Sequence, residues 1–205
     1  MALADTHGIE ALSMRRLAQE LGVEAMSLYN HVANKDDIVS AIVDTVVADF
    51  ELPGPAIGWK SSIRRSAISA HDVLIGHPWA AGLMLSGPAP GRARLRYMDA
   101  QLGCLREAGF SPEMTHHAYH ALDSHIMGFT LWLVGITAGI ANMPGSVNAF
   151  LDELAVDVYP HLGEHIAQHL GERDPDEPSE FAFGLDLVLD GLERLLASAG
   201  PAGQA

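Results

Sequence analysis

Apolar residues recur along this chain with a helical period, and the strict alternation of half-buried strands is nearly absent. Met14, Leu17, Ala18 and Leu21 form an i, i+3, i+4, i+7 stripe in MRRLAQEL, with Ser13 ahead as N-cap and Gly22 at the expected stop. A short helical segment runs from about Ala25 to His31. Asn34 then precedes KDDIVSAIVDTVVADF, with Asp36 and Asp37 in the first turn, where the helix dipole favours carboxylates. Ile38, Ile42, Val46 and Phe50 continue that helix on one face. ELPGPAIG, residues 51–58, breaks the pattern with two prolines and two glycines. Beyond it the periodicity predicts helices over about 59–76, 78–86, 92–109, 112–142, 146–169 and 179–198, divided at GHP, SGPAPG, GFSP, MPGS and GERDPDEPS. The pattern as a whole predicts an all-α chain: a three-helix N-terminal domain over 1–50, a linker over 51–58, and a larger helical domain over 59–205.

A length of 205 residues at 48% hydrophobic composition suits one or two domains with a substantial core. The single cysteine, Cys104, excludes an intrachain disulfide framework. No leader-like succession of basic, apolar and small residues opens the chain, which points to the cytoplasm. Twelve Lys and Arg against 26 Asp and Glu give a net charge of −14. That balance opposes nonspecific adsorption to nucleic acid or anionic lipid, so any DNA contact needs a local positive patch. From Ile126 to Leu151 there is no charged side chain, and IMGFTLWLVGITAGIANM approaches the length of a membrane span. Its glycines, threonines and Asn142 dilute the hydrophobicity, no basic cluster flanks it, and Pro144-Gly145 stops it early. It reads as a buried central helix rather than a membrane segment.

Helix 13–21, the turn through Gly22 and segment 25–31 make a helix-turn-helix, which lays its second helix in the DNA major groove while the first crosses the backbone. Leu28 and Val32 point back toward Leu17 and Leu21, leaving Ala25, Met26, Ser27, Asn30 and His31 outward. Asn and Ser suit base edges, and Met or Ala can meet a thymine methyl. Tyr29 can reach a phosphate with its hydroxyl. Arg15 and Arg16 open the first helix and Lys35 opens the third, whose N-terminus is itself suited to phosphate. Residues 1–50 nonetheless hold three Lys/Arg against eight Asp/Glu, a local balance of −5 that is poor for a groove binder.

GIEALSMRRLAQELGVEAMSLYNHVANKDDIVSAI resembles the DNA-binding domain of the tetracycline-repressor (TetR) family of one-component regulators. The Leu-x-x-Arg-x-Leu-Ala core, the Leu-Gly-Val turn and Leu-Tyr-x-His-Val-x-x-Lys carry the resemblance, over residues 8 to about 50. QLGCLREAGFSPE and FAFGLDLVLDGLERLL are similar to the family's regulatory domain. The resemblance implies that Arg15 contacts a base and that Ala25, Met26 and Ser27 front the recognition helix. It further implies that Tyr29 and His31 touch backbone or base edges and that Lys35 holds a phosphate. Asn30 stands where the family's name-giving repressor has an aromatic, and Ala25 and Met26 where it has Gln and Pro, implying a different operator. Family members begin with a first helix of roughly four turns. Here only MALADTH precedes Gly8, so either the start is late or part of the support beneath the recognition helix is missing.

The resemblance also implies a homodimer held by the last helices. FAFGLDLVLDGLERLLASAG offers Phe181, Leu185, Val188, Leu192 and Leu196 as an apolar face, with Gly184 and Gly191 permitting close approach. Between linker and dimer helix, the candidate ligand-pocket residues are Ser66, Trp79, Met84, Met98, Leu102, His116, His120, Asp123, Ser124 and Trp132, an apolar set with a few polar groups. His116, His120 and Asp123 fall near one helical face, as do His161, His165 and His169. Without a His-Glu-x-x-His signature or an assisting cysteine they read as pocket lining and solvated face, with no metal and no cofactor expected. Ser66 and Met84 occupy the positions of the drug-binding Asn and a metal-ligand His in the family's magnesium–drug site. The implied inducer is therefore a different, largely apolar compound. No phosphate loop, serine elbow or paired carboxylates suggest an enzyme. The expected function is a repressor released from a palindromic double-stranded operator by a small inducer. The alternative is a small-molecule-binding helical dimer with weak or lost DNA binding.

Overall fold

A computed structural model describes residues 1–86, 89–141, 158–170 and 179–199, and among these every regular element is helical. The first four are α1 (Ala2–His7), α2 (Met14–Leu21), α3 (Ala25–Leu28) and α4 (Lys35–Ala48). The next four are α5 (Trp59–Gly76), α6 (Pro78–Ser86), α7 (Arg92–Glu107) and α8 (Pro112–Ala141). The last two described are α9 (Pro160–Leu170) and α10 (Glu180–Ser198). The expected helix 146–169 is described only over Pro160–Leu170. The break MPGS lies outside the described residues, as does GERDPDEPS up to its final serine.

α4 is the shaft of the molecule. Asn34 caps it by accepting the Asp37 N–H at 2.9 Å, and the Asp37 carboxylate reaches back to the Ala33 N–H at 3.0 Å. Val46 and Phe50 are buried as the pattern expects. Ile38 and Ile42 are only half-buried, and Val39, Val43 and Val47 take the inner positions instead. The apolar stripe is thus rotated, because α4 faces α5, α6 and α7 at once rather than a single neighbour.

The stretch 51–58 is bolted down rather than loose. Three serines of α5 hold it: Ser62 accepts the Gly54 N–H (2.7 Å), Ser66 donates to the Glu51 carbonyl (2.7 Å), and Ser69 accepts the Glu51 N–H (3.0 Å). One core then runs from the end of α4 through α5–α8 to α10, with Phe110, Phe181, Ile63, Leu74, Leu105, Leu122, Leu185 and Leu189 fully enclosed. His71 lies inside it, stacked on Phe181 with ring centroids 4.0 Å apart and 2.8 Å from the Thr130 hydroxyl. Thr130 spends its own proton on the Ile126 carbonyl, so the imidazole donates from Nδ1. Burial holds the His71 pKa below 6.5.

α8 departs from the expectation of a fully buried central helix. It is long and apolar enough to cross a membrane, yet most of its apolar stretch is not buried. One side packs on α5, α7 and α10, and the other carries the exposed His116, His120, Ser124 and Trp132.

Candidate DNA interface and ligand compartment

The helix-turn-helix is set by local chemistry at each end of α2. Ser13 Oγ accepts the Arg16 N–H at 3.2 Å. At the other end Gly22 adopts φ 67°, and its N–H and that of Val23 return to the Ala18 and Gln19 carbonyls. Only glycine takes that left-handed turn without strain. α3 begins three residues on and is shorter than expected, ending at Leu28. The bonds Asn30 N–H to Ser27 O (3.3 Å) and His31 N–H to Leu28 O (2.9 Å) tighten the winding there. Met26 is 73% exposed, and Tyr29, Asn30 and His31 are exposed beside it. Ala25 and Ser27 are half-buried, and the Ser27 hydroxyl donates to the Glu24 carbonyl at 2.7 Å. Leu21 corrects the sequence reading. It is 58% exposed, because the small, buried Ala18 is where α2 beds down and Leu21 overshoots the packed surface. Arg15, Arg16 and Lys35 join no ion pair among the described residues.

Inside the larger unit, polar groups converge where α5, α7 and α8 meet. Ser66 is fully buried, and Tyr97 beside it packs edge-on against Phe50 with centroids 5.1 Å apart. Gln101 Nε2 donates to the Tyr97 hydroxyl at 2.9 Å, while Gln101 Oε1 is buried without a partner among the described residues. Burial raises the Asp123 carboxyl pKa, against the opposing pull of Arg94 and His120. The Tyr119 hydroxyl is pushed up to about 12 by burial and by the nearby Asp123 charge. Met84 is buried, and Met98 and Leu102 are half-buried. Separately, an open apolar groove of about 360 Å³ runs along Ile75, Pro78, Leu133, Val134, Thr137 and Ala138.

Several ligand candidates fall elsewhere. Trp79 lies at the seam with α1, its indole N–H donating to Asp5 at 2.7 Å, the same oxygen that His77 Nδ1 meets at 2.7 Å. His116, His120, Ser124 and Trp132 are exposed on the outer side of α8, so within one protomer they cannot line an interior cavity. Arg94, Tyr97 and Gln101 were absent from the candidates. Tyr97 and Gln101 stand one turn apart in line with Cys104 and Leu105, and that placement of polar groups on an apolar face was the available signal.

The dimer candidates also need correction. Phe181, Leu185 and Leu192 are buried in their own protomer, and Val188 and Leu196 pack against the same core. Gly184 makes its close approach inside the protomer, where an added Cβ would lie 2.6 Å from the His125 ring. α10 is apolar on two faces, and the inner one closes the protomer. The outward large apolar side chains are Phe183 (60% exposed), Leu187 (59%) and Leu195 (57%).

Comparison with known proteins sets this arrangement in a family. The model for bacterial regulatory proteins of the tetR family matches residues 1–42, and that for the tetracyclin repressor-like C-terminal domain matches residues 52–196. The chain belongs to the TetR family of transcriptional regulators. A possible TetR family transcriptional regulator from Streptomyces coelicolor A3(2) is 31% identical with a TM-score of 0.75, over 95% of both chains. The TetR family protein ActR of Streptomyces coelicolor, solved in complex with actinorhodin, is 28% identical with a TM-score of 0.72, over 97% of this chain and 93% of that one. The HTH-type transcriptional repressor DrrR1 of Streptomyces coeruleorubidus is 29% identical over 95% of this chain and 74% of its own length. Across curated relatives the match spans from 54% to 87% of the relative's length.

Proposed function

We propose that this chain is a ligand-responsive repressor rather than an enzyme. It binds a pseudo-palindromic DNA operator as a homodimer in the cytoplasm and leaves it when a small, largely apolar molecule binds. The observation that carries this reading is the outward presentation of Met26, Tyr29, Asn30 and His31 on a unit clamped at both ends of α2. Met26 suits a thymine methyl, Asn30 and His31 suit base edges, and Ala25 and Ser27 border the groove. Tyr29, Arg15, Arg16 and Lys35 suit phosphates, helped by the N-terminus of α4. Actinorhodin in a relative of the same fold supports a small-molecule effector. Here it would enter between α5, α7 and α8, among Ser66, Met98, Leu102 and Asp123, with the unpartnered Gln101 Oε1 awaiting a donor. A twofold dimer through Phe183, Leu187 and the outer side of α8 places two α3 units on successive major grooves, about 34 Å apart. A ligand that favours one spacing of those units releases DNA only if it binds the two forms unequally.

The test joins two measurements on one protein. A thermal-shift screen of apolar metabolites and antibiotics, actinorhodin among them, identifies a stabilising compound. The same compound must weaken binding to DNA from upstream of the gene, and that binding must fall with salt. If no duplex competes better than random DNA, the repressor reading fails.

A further inference from the structure

The DNA-reading unit and the larger unit meet at a seam that is only partly filled. Asp5 of α1 pins the start of α6 there, meeting His77 Nδ1 and accepting from the Trp79 indole, each at 2.7 Å. Farther along α6 the seam opens into a cleft of about 350 Å³. Both units supply its walls: Ile9 and Glu10 from the turn after α1, Lys35, Asp36 and Val39 from the start of α4, and Leu83 and Ser86 from the end of α6. A cleft of this size suits a small organic molecule, and the Asp5 bonds hold its two walls together.

The lining divides by chemistry. Val39 is buried and Ile9 and Leu83 are half-buried, which makes an apolar floor. Glu10 and Asp36 are exposed and join no ion pair among the described residues. Lys35 is the cation of the lining, so carboxylates outnumber it two to one. The N-terminus of α4 adds little pull on an anion. Asp36 and Asp37 already stand in its first turn, and Asn34 takes the Asp37 N–H. An apolar floor with a surplus of carboxylates complements a cation that has an apolar body.

We propose that this cleft binds an amphipathic organic amine, and that the bound cation strengthens the grip on DNA. The cleft shares no residue with the α5–α7–α8 compartment. Residues 1–50 carry a balance of −5, which repels the phosphates that Arg15, Arg16 and Lys35 must hold. A positive charge among Glu10, Asp36 and Lys35 offsets part of that repulsion. The occupant of this cleft therefore acts in the opposite sense to an inducer in the compartment. Its effect on DNA rests on the repressor reading above, whereas its binding does not.

The test uses full-length protein and three probes that share one apolar body: phenylbutylamine, phenylbutanol and phenylbutyrate. Calorimetry is expected to show the amine binding about fivefold more tightly than the alcohol, the scale of one exposed ion pair, and the butyrate binding most weakly. Glu10→Gln combined with Asp36→Asn is expected to erase the amine's advantage over the alcohol. Ser86→Trp, at an exposed position whose new ring fills the cleft, is expected to abolish amine binding. Thermal unfolding shows whether each variant is folded. At fixed salt, saturating amine is expected to raise affinity for DNA from upstream of the gene about twofold or more, and to leave the Ser86→Trp protein unchanged. No binding of the amine, equal affinity for all three probes, a preference for the butyrate, or amine binding that survives Ser86→Trp overturns the site. Weaker DNA binding with amine bound overturns its role. If the protein binds no DNA with or without amine, the repressor reading and that role fall together, and calorimetry still decides the site.

Discussion

Replacing Gln101 by Met is expected to stabilise this protein while weakening its binding of ligand. Gln101 is 1% exposed, with Oε1 unpartnered among the described residues and Nε2 donating to the Tyr97 hydroxyl at 2.9 Å. A buried acceptor without a donor costs about 1–3 kcal/mol, and one neutral hydrogen bond returns about 1 kcal/mol net. Met keeps the unbranched shape and length, so little packing changes. The Tyr97 hydroxyl loses a donor but keeps its own proton for Ser66 nearby. The net expectation is a gain of about 0–2 kcal/mol per protomer. Urea unfolding at fixed protein concentration reads it as a rise in midpoint at constant slope. The ligand found by thermal shift should stabilise the variant at least tenfold less well in Kd, because a buried unpaired polar group then falls on the ligand. A loss of more than about 1 kcal/mol would refute the reasoning, since it would mean that Oε1 has a partner worth keeping.

Four further outcomes are expected. Lys35→Ala should weaken DNA binding about equally across sequences and reduce the salt slope by about one, read from titrations at several salt concentrations. Ser13→Ala should cost about 1 kcal/mol of stability through the lost cap of α2, checked by urea unfolding. Leu187→Glu should dissociate the dimer, because about 1.5–3 kcal/mol of apolar burial is lost from each protomer; sedimentation shows it, and an unchanged dimer would redirect the interface. The His71 pKa is depressed by burial, so below 6.5 the unfolded chain binds a proton that the native state refuses. Stability should therefore fall as pH drops through that range, and His71→Phe should flatten this part of the midpoint-against-pH curve.

The helical architecture was legible because period and punctuation agreed. Ser13, Gly22 and Asn34 sit where the chain's own hydrogen bonds start and stop helices. The faces were less legible. Phe181, Leu185 and Leu192 look like an interface because α10 is apolar on two faces, and sequence cannot say which of them meets its own chain first. Trp79 failed for a related reason, since its partner Asp5 lies 74 residues away and no local pattern announces the pair. His116 and His120 share a helical face with each other, but exposure depends on what α5 and α7 cover. Asp44 shows the same limit, as its acidity is visible and the N-terminus of α7 that it caps is not.

The serines that bolt residues 51–54 to α5 have a bearing on how this regulator meets changing ionic strength. Their bonds join neutral groups, and the accompanying Arg65–Glu51 ion pair is solvent-exposed and therefore weak. Salt screens charges, so absolute affinity for a polyanion must slide with the medium. A joint made of hydroxyls and amides has almost nothing to screen. The ratio of affinities with and without effector can stay constant while both affinities drift, which lets a cell read the effector through changes in osmotic conditions.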